Sequence, residues 1–194
     1  DLSIDIESTG LEADSLIIEF GAAPFDTTKN DVTTTPFFHR YLSCPSFESL
    51  SPKLSSWVRE NNEKLIRKAH SQGISIEQFK AELTQYLTSP EVREYFGNEK
   101  IVLFGKSLSA IDLPFLTRDL GFAFMRDQFS HRNLDLTSVA YSMTDAELIP
   151  AKAGTGSSSL MKYFGMGEVP HTALEDARNT AIMYCKLLSE VKKK

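Results

Sequence analysis

The first 42 residues hold three strand-like segments, and helical spacing follows them. That order limits the folds open to this chain more than any other feature. Leu2, Ile4 and Ile6 alternate with Ser3, Asp5 and Glu7, the period of a strand with one apolar face. Residues 16–25 read as a longer and more continuously apolar strand, 26–31 are rich in turn residues, and 33–42, with Phe37, Phe38 and Tyr41, read as a third strand. Strands joined so closely predict an antiparallel meander. From residue 50 the period changes. Residues 50–61 and 65–70 look helical, and 76–87 places Phe79, Leu83, Tyr86 and Leu87 on one face, with Gly73 separating the last two segments. A buried strand over 101–104, a helix over 111–120 ended by Gly121, and an edge strand over 134–136 running into a helix through Tyr141 come next. Residues 159–164 form a short helix stopped by Gly165.

Thr172 and Glu175 have capping-box spacing, so the final helix is expected to start there and run to about Val191, with Ala177, Ala181, Cys185 and Leu188 on its apolar stripe. The Gly/Ser-rich stretch 152–159 predicts a mobile loop, and 192–194 a frayed, solvated end. Strands first, then strands alternating with helices, argue for one α/β domain over residues 1–194 with a mixed sheet.

Composition narrows the function classes. A net charge of −5 excludes a strongly basic protein that coats nucleic acid, although a local basic patch around an acidic site remains compatible with it. Cys44 and Cys185 lack any metal-ligand spacing and read as ordinary reduced cysteines. With no signal peptide and no apolar run near the roughly 20 residues that span a bilayer, a cytoplasmic protein without a membrane partner is expected. The chain opens inside a strand without a Met, as a start lacking a few residues would.

Chemistry concentrates at three places. Asp5 and Glu7, two apart on a strand, project to one face a few ångströms from each other. Two carboxylates on an apolar strand repel one another and resist desolvation unless a cation binds them. Asp112 follows the buried strand over 101–104 and opens a helix, where ligands of α/β sheets bind. His171 lies just outside the last helix, free to swing toward a substrate, and Asp176 falls in the first turn, where the helix N-terminus favours an anion. Read singly, each has an ordinary alternative: acids on a sheet edge, a helix-start Asp, a surface His.

Together, and in this order, they resemble the DEDDh 3′–5′ exonucleases of the DnaQ-like, RNase H-like superfamily over nearly the whole chain. Asp5-Ile6-Glu7-Ser8-Thr9-Gly10 looks like the first family motif, and His171-x-Ala173-x-x-Asp176-Ala177 like the third. His rather than Tyr five residues before the last Asp selects the DEDDh branch, and Leu160-Met161-Lys162-Tyr163-Phe164-Gly165 resembles the short helix that precedes the third motif. The second motif departs from the pattern. Gly105-Lys106-Ser107-Leu108-Ser109-Ala110-Ile111-Asp112 has no Asn, and Ile111 replaces the usual aromatic, which leaves Asp119 and Asp135 as weaker substitutes for Asp112.

The resemblance implies an RNase H-like α/β fold, with a mixed central sheet of about five strands flanked by helices. It implies that Asp5, Glu7, Asp112 and Asp176 hold two Mg²⁺ or Mn²⁺ ions, with His171 as general base. Zinc is disfavoured on the ground that the ligand set lacks sulfur and imidazole. Backbone amides around Ser8, Thr9 and Gly10 would meet the terminal sugar, and Leu11 would wedge against the terminal base. The implied substrates are single-stranded 3′ ends of DNA or RNA. A polymerase partner and a homodimer both stay open, and so does an inactive RNase H-like binding module, favoured by the altered second motif.

Overall fold

The computed structural model describes residues 1–28, 32 and 36–192. Three strands come first, as the alternation predicts: β1 (Leu2–Ser8), β2 (Ile17–Pro24) and β3 (Phe38–Tyr41). The third is shorter than its expected span; 33–35 lie outside the described residues, and Leu42, past its end, donates its amide to the Ile18 carbonyl and forms an isolated parallel bridge to Ile74. Of the turn expected over 26–31, Asp26 closes the described part by accepting hydrogen bonds from the amide and hydroxyl of Thr28.

The helical segment is more finely divided than its periodicity suggests. It comprises α1 (Phe47–Leu50), α2 (Ser56–Asn61), α3 (Glu63–Gln72), α4 (Ile76–Thr88) and α5 (Pro90–Phe96). The expected helix over 50–61 is broken because Pro52 sits in a one-turn 3-10 segment and Ser55 caps a fresh start at α2. Likewise Ser89 caps α5, with Pro90 at its first position.

The alternating part then follows: β4 (Ile101–Gly105), α6 (Asp112–Leu120), α7 (Phe122–Gln128), β5 (Phe129–Asp135), α8 (Leu136–Asp145), α9 (Ser157–Tyr163) and α10 (Ala173–Lys192). Strand β5 starts well before the expected 134–136, and Leu136 already belongs to α8. Only Phe129 of this strand is fully buried, so its side chains carry little strand signal; pairing with β4 defines it. The stretch expected as a loop over 152–159 contains part of a 3-10 turn at Ala151–Ala153 and the first residues of α9. Of the predicted frayed end, Lys192 still belongs to α10, and 193–194 lie outside the described residues.

The sheet is mixed, in the order β3-β2-β1-β4-β5. Strands β1, β2 and β3 form the antiparallel meander, whereas β1–β4 and β4–β5 run parallel. Strand β2 is buried along its whole length, because helices cover both faces. On one face Leu2, Ile4, Ile6 and Phe20 pack with Phe79 and Leu83 of α4 and with Phe115 and Leu116 of α6. On the other, Phe25 and Phe104 pack with α8, α9 and the Ala181, Met183 and Leu187 surface of α10. The period-2 rule therefore sends Ser3, Asp5 and Glu7 toward α10, and the Ser3 hydroxyl donates to the Ala177 carbonyl of that helix at 2.7 Å. Both cysteines are buried and free, and no described helix is long and apolar enough to cross a membrane.

Candidate active site

Strand β1 carries Asp5 and Glu7 to the face that α10 covers. Past Ser3 the parallel partner β4 is no longer in register with β1, so the Ile6 amide has no strand carbonyl on that side. Asp112 supplies the acceptor: Ile6 N–H donates to its Oδ1 at 3.0 Å. That bond seats a carboxylate only 3% exposed at the start of α6, against the strand that holds the other two. Asp119 and Asp135 are used elsewhere. Arg118 grips both Asp119 oxygens at 2.6 and 2.8 Å, and Asp135 caps α8 through the amides of Thr137 and Ser138. Of these three acids, Asp112 is the one in the cleft.

Helix α10 closes the site from the opposite side. Thr172 stands at its N-cap, its carbonyl accepting the Asp176 N–H at 2.9 Å. The expected capping box does not close, since the Glu175 carboxylate pairs with Arg178 at 2.9 Å. The Ala173 amide is satisfied from the sheet instead, by Glu19 Oε2 at 3.2 Å. Glu19 lies across the β1–β2 ladder from Glu7, is 1% exposed, and meets His39 Nε2 at 2.6 Å through its other oxygen. His171 precedes the helix with φ +53°, a left-handed conformation that costs a non-glycine residue energy and is concentrated at functional sites.

Asp5, Glu7, Asp112, His171 and Asp176 thus line one open cleft of about 540 Å³, together with Trp57, Lys106 and Gly156–Ser159 at the head of α9. Within it, one ligand atom each from Glu7, His171 and Asp176 lies within 4.8 Å of the others. A second hollow lined by Ser158, Lys162, Glu168, Val169 and His171 shares the histidine, so a groove continues past it. The Trp57 and His171 rings stand edge to face at 6.2 Å.

The electrostatics are those of crowded acids. Burial and then the charges of Asp112, Glu7 and Asp176 push the Asp5 carboxyl well above its ordinary range. Burial raises Glu7 to about 7, helped by Asp176, Glu19 and Asp112. Burial also raises Asp112 to about 7, against the opposing Ile6 hydrogen bond. Asp176 rises to about 6 because burial outweighs the nearby His171 and the amides of Thr172 and His171. The helix terminus thus favours its anion, as expected, but burial is the larger effect. Such a set binds a divalent cation by exchanging mutual repulsion for attraction.

Residues 8–11 are placed differently from the acids. None of Ser8, Thr9, Gly10 and Leu11 is among the side chains lining the cleft. Thr9 is buried and ties the loop to Leu16 through its amide and hydroxyl at 2.9 and 2.8 Å. The Ser8 hydroxyl donates to the Gly10 carbonyl at 2.6 Å, and Leu11 projects into solvent, 73% exposed. Two cleft residues and one buried behind Glu7 escape the motif reading. Trp57 is the chain's single tryptophan and 53% exposed, a visible signal; Lys106 sits inside the atypical second motif; Glu19 reads as one polar residue in an apolar strand. The site does not lack imidazole, the ground for disfavouring zinc: a His171 ring nitrogen lies within 4.8 Å of a carboxylate oxygen of Glu7 and of Asp176.

No protein-family model matches the sequence, and no curated protein sequence is significantly similar to it. Solved structures do resemble it. E. coli exonuclease I, in complex with a 5cy-dT13 oligonucleotide, matches at a TM-score of 0.65 and 15% identity, covering 99% of this chain and 41% of that one. The nuclease domain of 3′hExo, a DEDDh family member bound to rAMP, matches at 0.64 and 16%, covering 97% of this chain and 90% of that one. E. coli exonuclease I has also been solved as a zinc-bound single-stranded DNA complex, which matches at 0.68 and 16% with 99% and 41% coverage. This chain spans about two fifths of exonuclease I and nearly all of the 3′hExo nuclease domain. Its fold is the RNase H-like fold of DEDDh exonucleases, a mixed five-stranded sheet flanked by helices.

Proposed function

We propose that residues 1–194 form a single exonuclease domain that removes nucleoside 5′-monophosphates from single-stranded 3′ ends of DNA or RNA. The observation that carries this reading is the convergence of Asp5, Glu7, Asp112, Asp176 and His171, from three separated segments, on one cleft. The nucleic acid and the 3′ end come from the fold neighbours, one solved with an oligonucleotide and one with rAMP.

The four carboxylates are hard oxygen donors whose raised proton affinity marks an unmet demand for positive charge. They suit a pair of divalent cations, Mg²⁺ or Mn²⁺. Bound there, such ions supply Lewis-acid polarisation of the phosphate and of an attacking water. Asp5 and Glu7 would hold the ions from the rigid strand, Asp112 from the head of α6, and Asp176 from the first turn of α10. His171 takes the proton of the attacking water. One of its ring nitrogens lies within 4.8 Å of a carboxylate oxygen of Glu7 and of Asp176, where a base beside the attacking water is needed. Trp57 offers an aromatic face beside His171 for the terminal base. The Thr9 amide is taken by the Leu16 carbonyl, so the Ser8 and Gly10 amides are the ones left for the terminal sugar, with the exposed Leu11 side chain beside them as the wedge for the base. Asp112 in the cleft supports the active reading over an inactive module, despite the altered second motif.

The test uses 5′-labelled single-stranded DNA and RNA with free and blocked 3′ ends. Stepwise shortening from the free 3′ end in Mg²⁺ or Mn²⁺, stopped by EDTA, is expected. His171→Ala should slow it by about 10²–10⁴-fold. Internal cuts on a 3′-blocked strand, or a His171→Ala protein as fast as the parent, would refute the mechanism.

A further inference from the structure

The second motif contains a cation that the acid-based reading leaves without a task. Lys106 is the residue immediately after β4, at the carboxyl end of a strand parallel to β1, where sheet ligands bind. Among the described residues it is the only Lys or Arg lining the cleft. No ion pair within 4.0 Å ties it down among the described residues, and it is half-buried. Its charge still reaches the acids, pulling the Asp5 and Asp112 carboxyls down against their burial.

Charge accounting shows what such a residue is for. Two divalent cations neutralise the four carboxylates, so a phosphodiester entering the cleft adds a negative charge with nothing left to balance it. That charge grows as the attacking water gives up its proton. We propose that Lys106 binds the phosphate of the 3′-terminal nucleotide, its ammonium donating a charge-assisted hydrogen bond to a non-bridging oxygen. It transfers no proton and leaves the bond-breaking to the acids and His171. An ammonium suits the task as a compact point charge on a flexible stem that can follow the phosphate from substrate to product. The same charge competes with incoming metal ions, so Lys106 exchanges some metal affinity for phosphate affinity. This inference rests on the proposed function, since it assigns the substrate contact of the same cleft.

The opposed signs give a test that does not depend on turnover. Isothermal titration would measure a nucleoside 5′-monophosphate and the matching nucleoside against the parent and Lys106→Met in Mn²⁺, and Mn²⁺ alone against both proteins. Lys106→Met should weaken the monophosphate about tenfold or more, as expected for a lost charged hydrogen bond. The nucleoside should bind unchanged, Mn²⁺ should bind tighter, and Lys106→Arg should keep most of the monophosphate affinity. Equal monophosphate affinity in parent and Lys106→Met overturns the proposal. So does a parallel loss of nucleoside and monophosphate, which marks a structural role; Lys106→Gln and thermal unfolding check that the fold is kept. A parent that releases no mononucleotide overturns the exonuclease reading instead, and the phosphate-against-nucleoside comparison still decides the role of Lys106.

Discussion

Gly21 is the point at which the sheet determines where the last helix starts, and Gly21→Ala should therefore impair catalysis without touching a cleft residue. Gly21 pairs with Asp5 across the β1–β2 ladder and faces α10. A Cβ there would lie 2.3 Å from Leu174 N, 2.4 Å from the Ala173 carbonyl carbon and 2.5 Å from Leu174 Cα. All three are backbone atoms, so no side-chain rotation relieves the clash. Reaching an ordinary carbon contact of about 3.5 Å requires the head of α10 to retreat by roughly 1 Å. The retreat also strains the Glu19–Ala173 hydrogen bond of 3.2 Å. Overpacking of this kind costs about 1–3 kcal/mol, or roughly 3–10 °C in Tm for a chain of this size. Asp176 and His171 ride on the displaced backbone while Asp5 and Glu7 stay with β1. A misplacement of about 1 Å in a catalytic set costs on the order of 10²-fold in rate. The assay is kcat/KM on a labelled single strand, well below the Tm of every variant. Gly97→Ala serves as control: with φ +65° and nothing within 4 Å of an added Cβ it should lose stability but not rate. A folded Gly21→Ala protein as fast as the parent would refute the reasoning.

Three further expectations use the same geometry. Asp112→Asn keeps an acceptor for the Ile6 amide and should leave Tm nearly unchanged, whereas Asp112→Ala orphans that buried donor and should cost about 1–3 kcal/mol; both should abolish activity, and denaturant unfolding separates them. The raised carboxyls mean that the folded protein binds protons more tightly than the unfolded chain, from ordinary values near 4 up to about 7 for Glu7 and Asp112 and about 6 for Asp176. That extra stability is complete below about pH 4 and lost as pH rises toward 7, so in EDTA the Tm should fall from pH 5 to pH 8, and Mg²⁺ should restore more of it at pH 8; a Tm that rises across this range contradicts the assignment. Trp57→Ala should raise KM for a single strand about tenfold or more, as loss of one stacked base would, with kcat little changed; an unchanged KM removes Trp57 from the substrate path.

Much of the site was legible because its acids lie on elements with strong periodic signals. The alternation of Leu2, Ile4 and Ile6 assigns Asp5 and Glu7 to one face of a strand, and the Thr172 start places His171 before a helix with Asp176 in its first turn. Less of the surrounding fold was legible. The strand Phe129–Asp135 shows a single fully buried side chain, since an edge strand is held by backbone pairing, which has no side-chain signature. The helices Pro90–Phe96 and Phe122–Gln128 are too short to display a period.

The sequence by itself determined the strands-first order, the main amphipathic elements and the placement of Asp5, Glu7, His171 and Asp176 on them, because periodicity and helix starts are local properties. Only the tertiary structure puts Asp112, and not Asp119 or Asp135, in the cleft, since that placement depends on which carboxylate meets an Ile6 amide 106 residues away. It likewise revealed Glu19 as the acceptor that holds the head of α10, and Trp57 and Lys106 as walls of the cleft. Each of those roles arises from contact between segments far apart in the chain, and no local pattern records a contact of that kind.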